Sequence, residues 1–325
     1  MRSNRVHNLD LFTESINTSY KKHIKTKSKQ ALEMLKAEID WDALIEPIEE
    51  ELKKHRSKYP AGRQRTPLLV IVRCFILQRI YNLSDPRLEE EIADRISFRH
   101  FLDLMSGDTI PDETSICRYR KQFSKYGLDR LLFELFNKQL QERGLLVEKG
   151  TLVDATIKQA QATKRSGRDK DARGTKKRGR YYYGYKGHIG MDSDSDVIHS
   201  VEFTSAEVHD SNKFDDLLHG KEDAVFGDKG YANRKRKRML RERGVFCGIL
   251  DKAYRNRPLS PSQKKRNLKH SRFRNKVERP FAYFKRVLDY DRCSYYDLER
   301  NRFEFIMTAM IWNMRCLMSA PGLKT

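Results

Sequence analysis

The chain lacks any C-x-x-C pair; Cys74, Cys117, Cys247, Cys293 and Cys316 are scattered along it and odd in number. That pattern fits neither a zinc framework nor a disulfide scaffold, and implies reduced, cytosolic thiols packed as small apolar residues. The nine histidines show no metal-ligand spacing. No apolar run reaches the length of a bilayer span, and the amino terminus, MRSNRVHNLDLFTESINTSY, has no signal-peptide core. The sharpest absence is local. Residues 252–277 read as a basic loop that contains ten Lys or Arg and no acid at all.

What is present is charge of one sign. Lys and Arg total 66 against 45 Asp and Glu, a formal net charge of +21. Such a surface seeks polyanions, nucleic acid first and an anionic membrane second, and the missing spans weaken the second. With 325 residues and 38% hydrophobic content, the chain can bury a proper core, and its length predicts two domains with an arm.

Residues 1–62 read as a basic arm with one short helix, WDALIEPIEEEL. Residues 63–145 read as an all-α region. Thr66 is placed to cap a helix with Pro67 at its first position, and Leu68, Leu69, Val72, Phe75, Ile76, Ile80 and Leu83 make it a buried one. Asp85-Pro86 opens a second helix, and ISFRHFLDLM makes a third. Asp112 can cap a fourth, whose outer face offers Ser115, Arg118, Tyr119 and Gln122. A short helix, a tight turn and this capped helix fit a helix-turn-helix reader of the major groove, with an ordinary solvated helix as the alternative.

From residue 146 the period changes. TLVDATIKQA, YYYGYKGHIGMD, VIHSVEFTSA, AVFGD and VFCGIL read as five strands, with DSDSD (192–196) as a hairpin turn. SNKFDDLLHG reads as a helix capped by Ser211, ANRKRKRMLRERG as a basic helix ended by Gly244, and RFRNKVERPFAYFKRVLDY as one long helix. A last helix runs through FEFIMTAMIWNMRCLM. The pattern predicts an α/β domain with a mixed sheet. Residues 160–180, which include Lys176, Lys177 and Arg178, hold nine Lys or Arg against two Asp and should stay mobile until a partner arrives.

Three acids stand where a gratuitous carboxylate would be costly. Asp154 lies within the strand TLVDATI, Asp228 ends AVFGD at the mouth of Arg234, Lys235, Arg236 and Arg238, and Glu278 is the first acid after the acid-free stretch. If the first and fourth strands are neighbours, Asp154 and Asp228 can point to one spot, and Glu278 can close the triangle from a packed helix. Clustered carboxylates repel unless a divalent cation sits among them, and Mg²⁺ suits a few carboxylates plus water and phosphate oxygens. On one helix, Arg274, Glu278, Phe281 and Lys285 fall at roughly 0°, 40°, −20° and 20°, a narrow stripe. Taken alone, Glu278 equally fits a surface ion pair with Arg274. His188 and His209 fit proton shuttles or, more simply, hydrogen-bonded histidines near a polar site.

Asp154 in TLVDATI, Asp228 in GDKGY and Glu278 in RNKVERPFAYFK resemble the DDE transposases of bacterial insertion sequences, specifically the IS5 group within the wider IS4-like set. That set's signature runs Tyr, two residues, Arg, three residues, Glu, six residues, Lys. Arg274, Glu278 and Lys285 fit it, and Ser271 stands at the tyrosine position. YNLSDPRLEEEIADRISFRHF, GDTIPDETSICRYR, YKGHIGMD and TSAEVHDS extend the likeness over nearly the whole chain from residue 62. The resemblance implies an RNase H-like catalytic domain over 146–325 whose Asp154, Asp228 and Glu278 hold two Mg²⁺ ions, with Mn²⁺ able to substitute. It implies cleavage at the terminal inverted repeats and strand transfer into target DNA, by a homodimer acting at the nucleoid in the cytoplasm. The DNA contacts would come from Arg274, Lys285, the 234–238 run, the basic loops and the helix after Asp112. A DNA-binding repressor or silent domesticated transposase is the alternative from another class, and a nuclease that only cuts is a third.

Overall fold

The computed structural model describes residues 27–55, 65–105, 107–177 and 179–320. Much of the arm read over residues 1–62, and Arg178, lie outside the described residues. The chain divides into two compact units, 1–119 and 120–325.

The first unit holds α1 (Lys27–Glu38), α2 (Trp41–Lys54), α3 (Leu68–Ile80), α4 (Asp85–Asp94), α5 (Ile96–Phe101) and the first half of α6 (Glu113–Tyr126). Asp40 caps α2 by accepting from the Ala43 amide at 3.1 Å, and Trp41, Leu44, Ile45, Ile48 and Leu52 bury one face of it. From Val70 to Arg79, α3 is buried without a break, so it is the central helix its sequence predicts. Its start differs from expectation. Pro67 is the cap residue and makes no side-chain bond; the Thr66 carbonyl instead accepts from the Tyr119 hydroxyl at 3.2 Å. Asp85 opens α4 as expected, with Ser84 as its cap, and Asp112 caps α6 as expected, accepting from the Ser115 amide at 2.6 Å. Residues 102–112 separate α5 from α6, a longer connection than the tight turn of a helix-turn-helix.

The second unit is built on a mixed sheet of six strands among the described residues: β1 (Gly150–Gln159), β2 (Arg173–Lys177), β3 (Arg180–Asp192), β4 (Ile198–Ser205), β5 (Ala224–Gly227) and β6 (Phe246–Ile249). The order is β2-β3-β1-β5-β6, with β4 on the carboxyl half of β3. β1 lies antiparallel to β3 and parallel to β5, and β6 continues the parallel side. One strand more than expected forms because the basic 160–180 segment is anchored. Its Asp169 is 2% exposed and accepts from the Tyr185 hydroxyl at 2.5 Å and the Ala172 amide at 3.0 Å. β2 follows directly and carries its lysines on an edge strand, where charge discourages further pairing.

Two other expectations change. The segment after His209 forms 3₁₀ turns at Asp210–Lys213 and Asp215–Leu217 in place of a helix, and His209 Nδ1, not Ser211, is the cap. Much of the acid-free stretch is α9 (Pro261–Arg274), started by a capping box between Ser260 and Gln263. Between β5 and β6 runs α8 (Arg234–Glu242), capped by Asn233 and followed by Gly244 at φ +74°. The nearly fully buried α11 (Leu298–Met318) is stitched by Asn313, which donates to Asn137 of α7 (Leu128–Glu142) at 2.8 Å and to the Ile198 carbonyl at 2.7 Å. This is why α7 groups with the sheet. No helix of the described residues is long and apolar enough to cross a membrane.

Gly184 sits where β1, β2 and β3 meet, at φ +154°, and a Cβ there would lie 2.2 Å from the Lys158 carbonyl oxygen. Backbone cannot give way as a side chain can. Gly184→Ala should therefore cost more than about 2 kcal/mol. Gly220→Ala, at φ +89° in open space, should cost only the left-handed strain of about 1–2 kcal/mol. Urea unfolding midpoints check both, and equal losses would refute the close-approach argument.

Candidate active site

The parallel pairing of β1 with β5 ends at Val153 opposite Gly227. The next residues are Asp154 and Asp228, so strand register alone makes them neighbours. Side chains alternate along a strand. Val153 and Val225 pack into a core with Phe214, Leu217, Tyr231, Leu240 and Ile249, which leaves Leu152, Asp154, Phe226 and Asp228 for the opposite face.

That opposite face carries α9. Phe273 stacks on Phe226 with centroids 5.3 Å apart, and His270 meets the same ring edge-on at 6.3 Å. This packing delivers the last residue of α9, Arg274, to the carboxylates. Its guanidinium donates to Asp154 at 2.9 Å and pairs with Glu278 at 3.6 Å. A 3₁₀ turn, Asn275–Val277, follows, and then α10 (Glu278–Arg286), so the long helix expected here is two. Val277 is fully buried, Lys276 donates to the Ser193 carbonyl at 2.7 Å, and Arg279 pairs with Asp196 at 2.6 Å, which fastens the segment to the β3–β4 hairpin. Glu278 thus begins a helix and leaves its side chain 62% exposed, whereas those of Arg274 and Asp154 are 17% exposed.

The charges bear on one another. Burial raises the Asp154 carboxyl above the usual carboxylate range, opposed by Arg274, the Ala155 amide and Lys177. Burial disfavours the Arg274 cation, yet Asp154, Asp228 and Glu278 together hold its pKa above the ordinary arginine value. All three predicted acids therefore converge electrostatically on one guanidinium. Asp228 accepts from the Lys229 amide at 2.7 Å. Among the described residues, no three His, Cys, Asp or Glu side chains stand close enough to hold a metal ion. The donor type still fits a hard divalent cation, because all three side chains offer carboxylate oxygens.

One neighbour escaped the sequence reading. Tyr231, three residues past Asp228 in GDKGY, is 1% exposed, and its hydroxyl has no hydrogen-bond partner among the described residues. Burial first, then the charges of Asp154, Asp210 and Asp228, raise its pKa well above the phenol value. The 3₁₀ turn Lys229–Tyr231 brings its ring into the core with Val153 and Val225, a placement no local sequence signal announces.

The predicted DNA contacts divide into free and committed side chains. Arg234 and Lys235 are exposed at the start of α8, and Lys176 and Lys177 on β2. Arg238 pairs with Glu242 at 2.7 Å and Lys285 with Asp291 at 3.1 Å. Arg236 turns inward, donating to Ser211 Oγ and to the Ser211 and Tyr231 carbonyls, with Phe214 4.1 Å from its guanidinium carbon. It braces α8 against the 3₁₀ turns. On α6, Arg118 and Gln122 are exposed, Ser115 is half-buried, and the Tyr119 hydroxyl is bonded to Thr66. At the family tyrosine position, Ser271 donates back to the Asn267 carbonyl at 2.7 Å. A cavity of about 790 Å³ lined by Arg279, Tyr283, Trp312 and Arg315 includes none of the three acids, so concavity alone would point elsewhere.

His188 is fully buried on β3, with Nε2 3.0 Å from Thr204 Oγ1, and burial pushes its pKa down to about 4. His209 is a turn cap. His209 thus has a structural role of the ordinary kind, while His188 is partnered through Nε2 alone, its Nδ1 having no hydrogen-bond partner among the described residues.

Two acids thus lie at the end of a parallel strand pair in a mixed sheet, and a third begins a helix that follows α9. Comparison with known families places the chain. Residues 146–314, just over half of the chain, match the family described as "Transposase DDE domain", and residues 19–122 match "Transposase domain (DUF772)". The chain belongs to the DDE transposase family. A solved structure similar to it is that of the piggyBac transposase synaptic complex with hairpin DNA, 10% identical with a TM-score of 0.40, covering 91% of this chain and 82% of that one.

Buried histidines give this unit a pH signature. His188 at about 4 and His199, which burial and then His219 press down to about 3, are neutral in the folded protein. In the unfolded chain both titrate near 6.5. The unfolded state then binds more protons below that pH, so each contribution is complete above about 6.5 and is lost as the pH falls toward 4 and 3. By pH 5 each should have cost about 2 kcal/mol. Urea unfolding at pH 7 and pH 5 should show a shallower loss for His199→Asn than for the wild type; identical slopes would contradict the assignment.

Proposed function

We propose that the protein is the transposase of an insertion sequence of the IS5 group, with an RNase H-like catalytic domain, which cleaves DNA at terminal inverted repeats and transfers the freed strands into target DNA. The observation that carries this reading is the convergence of Asp154, Asp228 and Glu278 on Arg274, from two parallel strands and a covering helix. Asp154, Asp228 and Glu278 would hold two Mg²⁺ ions, for which Mn²⁺ could substitute. When bound, such ions generate a nucleophile from water and stabilise the leaving oxygen of an in-line displacement.

The rest falls to the chain's own residues. Asp154 and Asp228 are fixed by strand register, so their geometry is preorganised. Lys177, whose charge reaches Asp154, together with Lys176, Arg234 and Lys235, offers the free cations nearest the role of holding a phosphate backbone. Lys285 and Arg238 would exchange their carboxylate partners for phosphates. Residues 63–145, with Arg118 and Gln122 exposed on α6, would recognise the repeat ends, and a homodimer would join two ends in one complex. Each phosphate neutralised adds about −0.9 to the slope of log affinity against log salt.

The test uses labelled terminal-repeat DNA, target DNA and Mg²⁺ or Mn²⁺. Joined products are expected from the wild type, and Asp228→Asn should reduce them by at least about 10³-fold while leaving DNA binding in place. Binding without cleavage by the wild type would favour a repressor, and cutting without joining a nuclease.

A further inference from the structure

Arg274 does more than accompany the acids. Side chains that hold DNA in a basic protein are normally left exposed; this one is mostly buried, bonded to Asp154 at 2.9 Å and paired with Glu278 at 3.6 Å. Its position is imposed by the stacking of Phe273 on Phe226 and by the buried Val277, so the guanidinium is delivered to the carboxylates by packing. Asp228 adds to the same field. A positive charge thus stands between Asp154 and Glu278. The exposed Glu278 side chain and the loosely paired guanidinium on the Glu278 side leave room for an exchange of partners.

The geometry points to Arg274 as a built-in counter-cation that closes the carboxylate site to divalent metal until a DNA phosphate draws it away, so that metal loading and DNA binding are coupled through this one side chain. The inference rests on the metal-site reading above and deepens it. Metal and guanidinium compete for Asp154 Oδ2, and a phosphate competes with Asp154 for the same N–H donors. Anything that removes the guanidinium from Asp154 then tightens metal binding, and by linkage metal tightens DNA binding equally. Without DNA the guanidinium offsets part of the negative charge, which lessens the repulsion among the acids.

Calorimetric titration of Mn²⁺ into the full chain, with and without duplex DNA, tests this. Arg274→Gln without DNA should bind Mn²⁺ more tightly than the wild type, by a factor in the range of about 5 to 150 usual for coupled sites. DNA should tighten Mn²⁺ binding by the wild type, and by much less in Arg274→Gln. Lys221→Gln removes one exposed charge outside the basic segments and should change neither value, which separates direct pairing from a general loss of positive charge. Circular dichroism establishes that each variant is folded. Equal Mn²⁺ affinity of wild type and Arg274→Gln, or an equal effect of DNA on both, would overturn the coupling while leaving the metal site standing. Mn²⁺ binding by Arg274→Gln that survives Asp228→Asn would instead overturn the metal-site reading itself.

Discussion

Two carboxylates at the ends of adjacent parallel strands repel each other, and the fold tolerates them because Arg274 is held against them. Register brings Asp154 and Asp228 together, since Val153 pairs with Gly227 one step earlier. The aromatic packing of α9 on β5 brings the guanidinium. Each depends on the other. Without the cation the acids would oppose the β1–β5 pairing, and without Asp154 in place Arg274 would keep only its longer contact with Glu278.

The strands that position the site were legible because their apolar period is 2 and their ends are marked by turn residues. β1, β3, β4, β5 and β6 all formed where the sequence places them. The neighbour relation of β1 and β5 was read as a condition, and the sheet meets it. Less visible were elements whose stability comes from single tertiary anchors. β2 has one β-branched residue and exists because Asp169 is buried beneath Tyr185, a bond no local pattern announces. α9 lacks an apolar stripe, and reading it as loop followed from its charge; its capping box and two aromatic contacts hold it instead. The 210–217 segment carries a cap residue, but its buried Phe214 and Leu217 favour tight turns over a helix.

The candidate site followed the same divide. Residue types and order located three acids, but only packing could reveal which cation stands among them, or that Arg236 faces inward while Arg234 and Lys235 face out. Charge counting treats all cations in a run alike. Burial sorts them, and in α8 the sorting follows from the aromatic ring of Phe214 waiting on one side only.

The three-residue turn between α9 and α10 has a geometric effect of its own. A 3₁₀ residue advances the chain by about 120° and an α residue by about 100°. Asn275–Val277 therefore rotates everything downstream by about 60° relative to a straight continuation of α9. The stripe expected to hold Arg274, Glu278, Phe281 and Lys285 in line is broken after Arg274: the other three keep their mutual phase within α10 and turn as a block relative to α9. Helical phase, set by three residues that carry no chemistry, decides where the third acid is aimed.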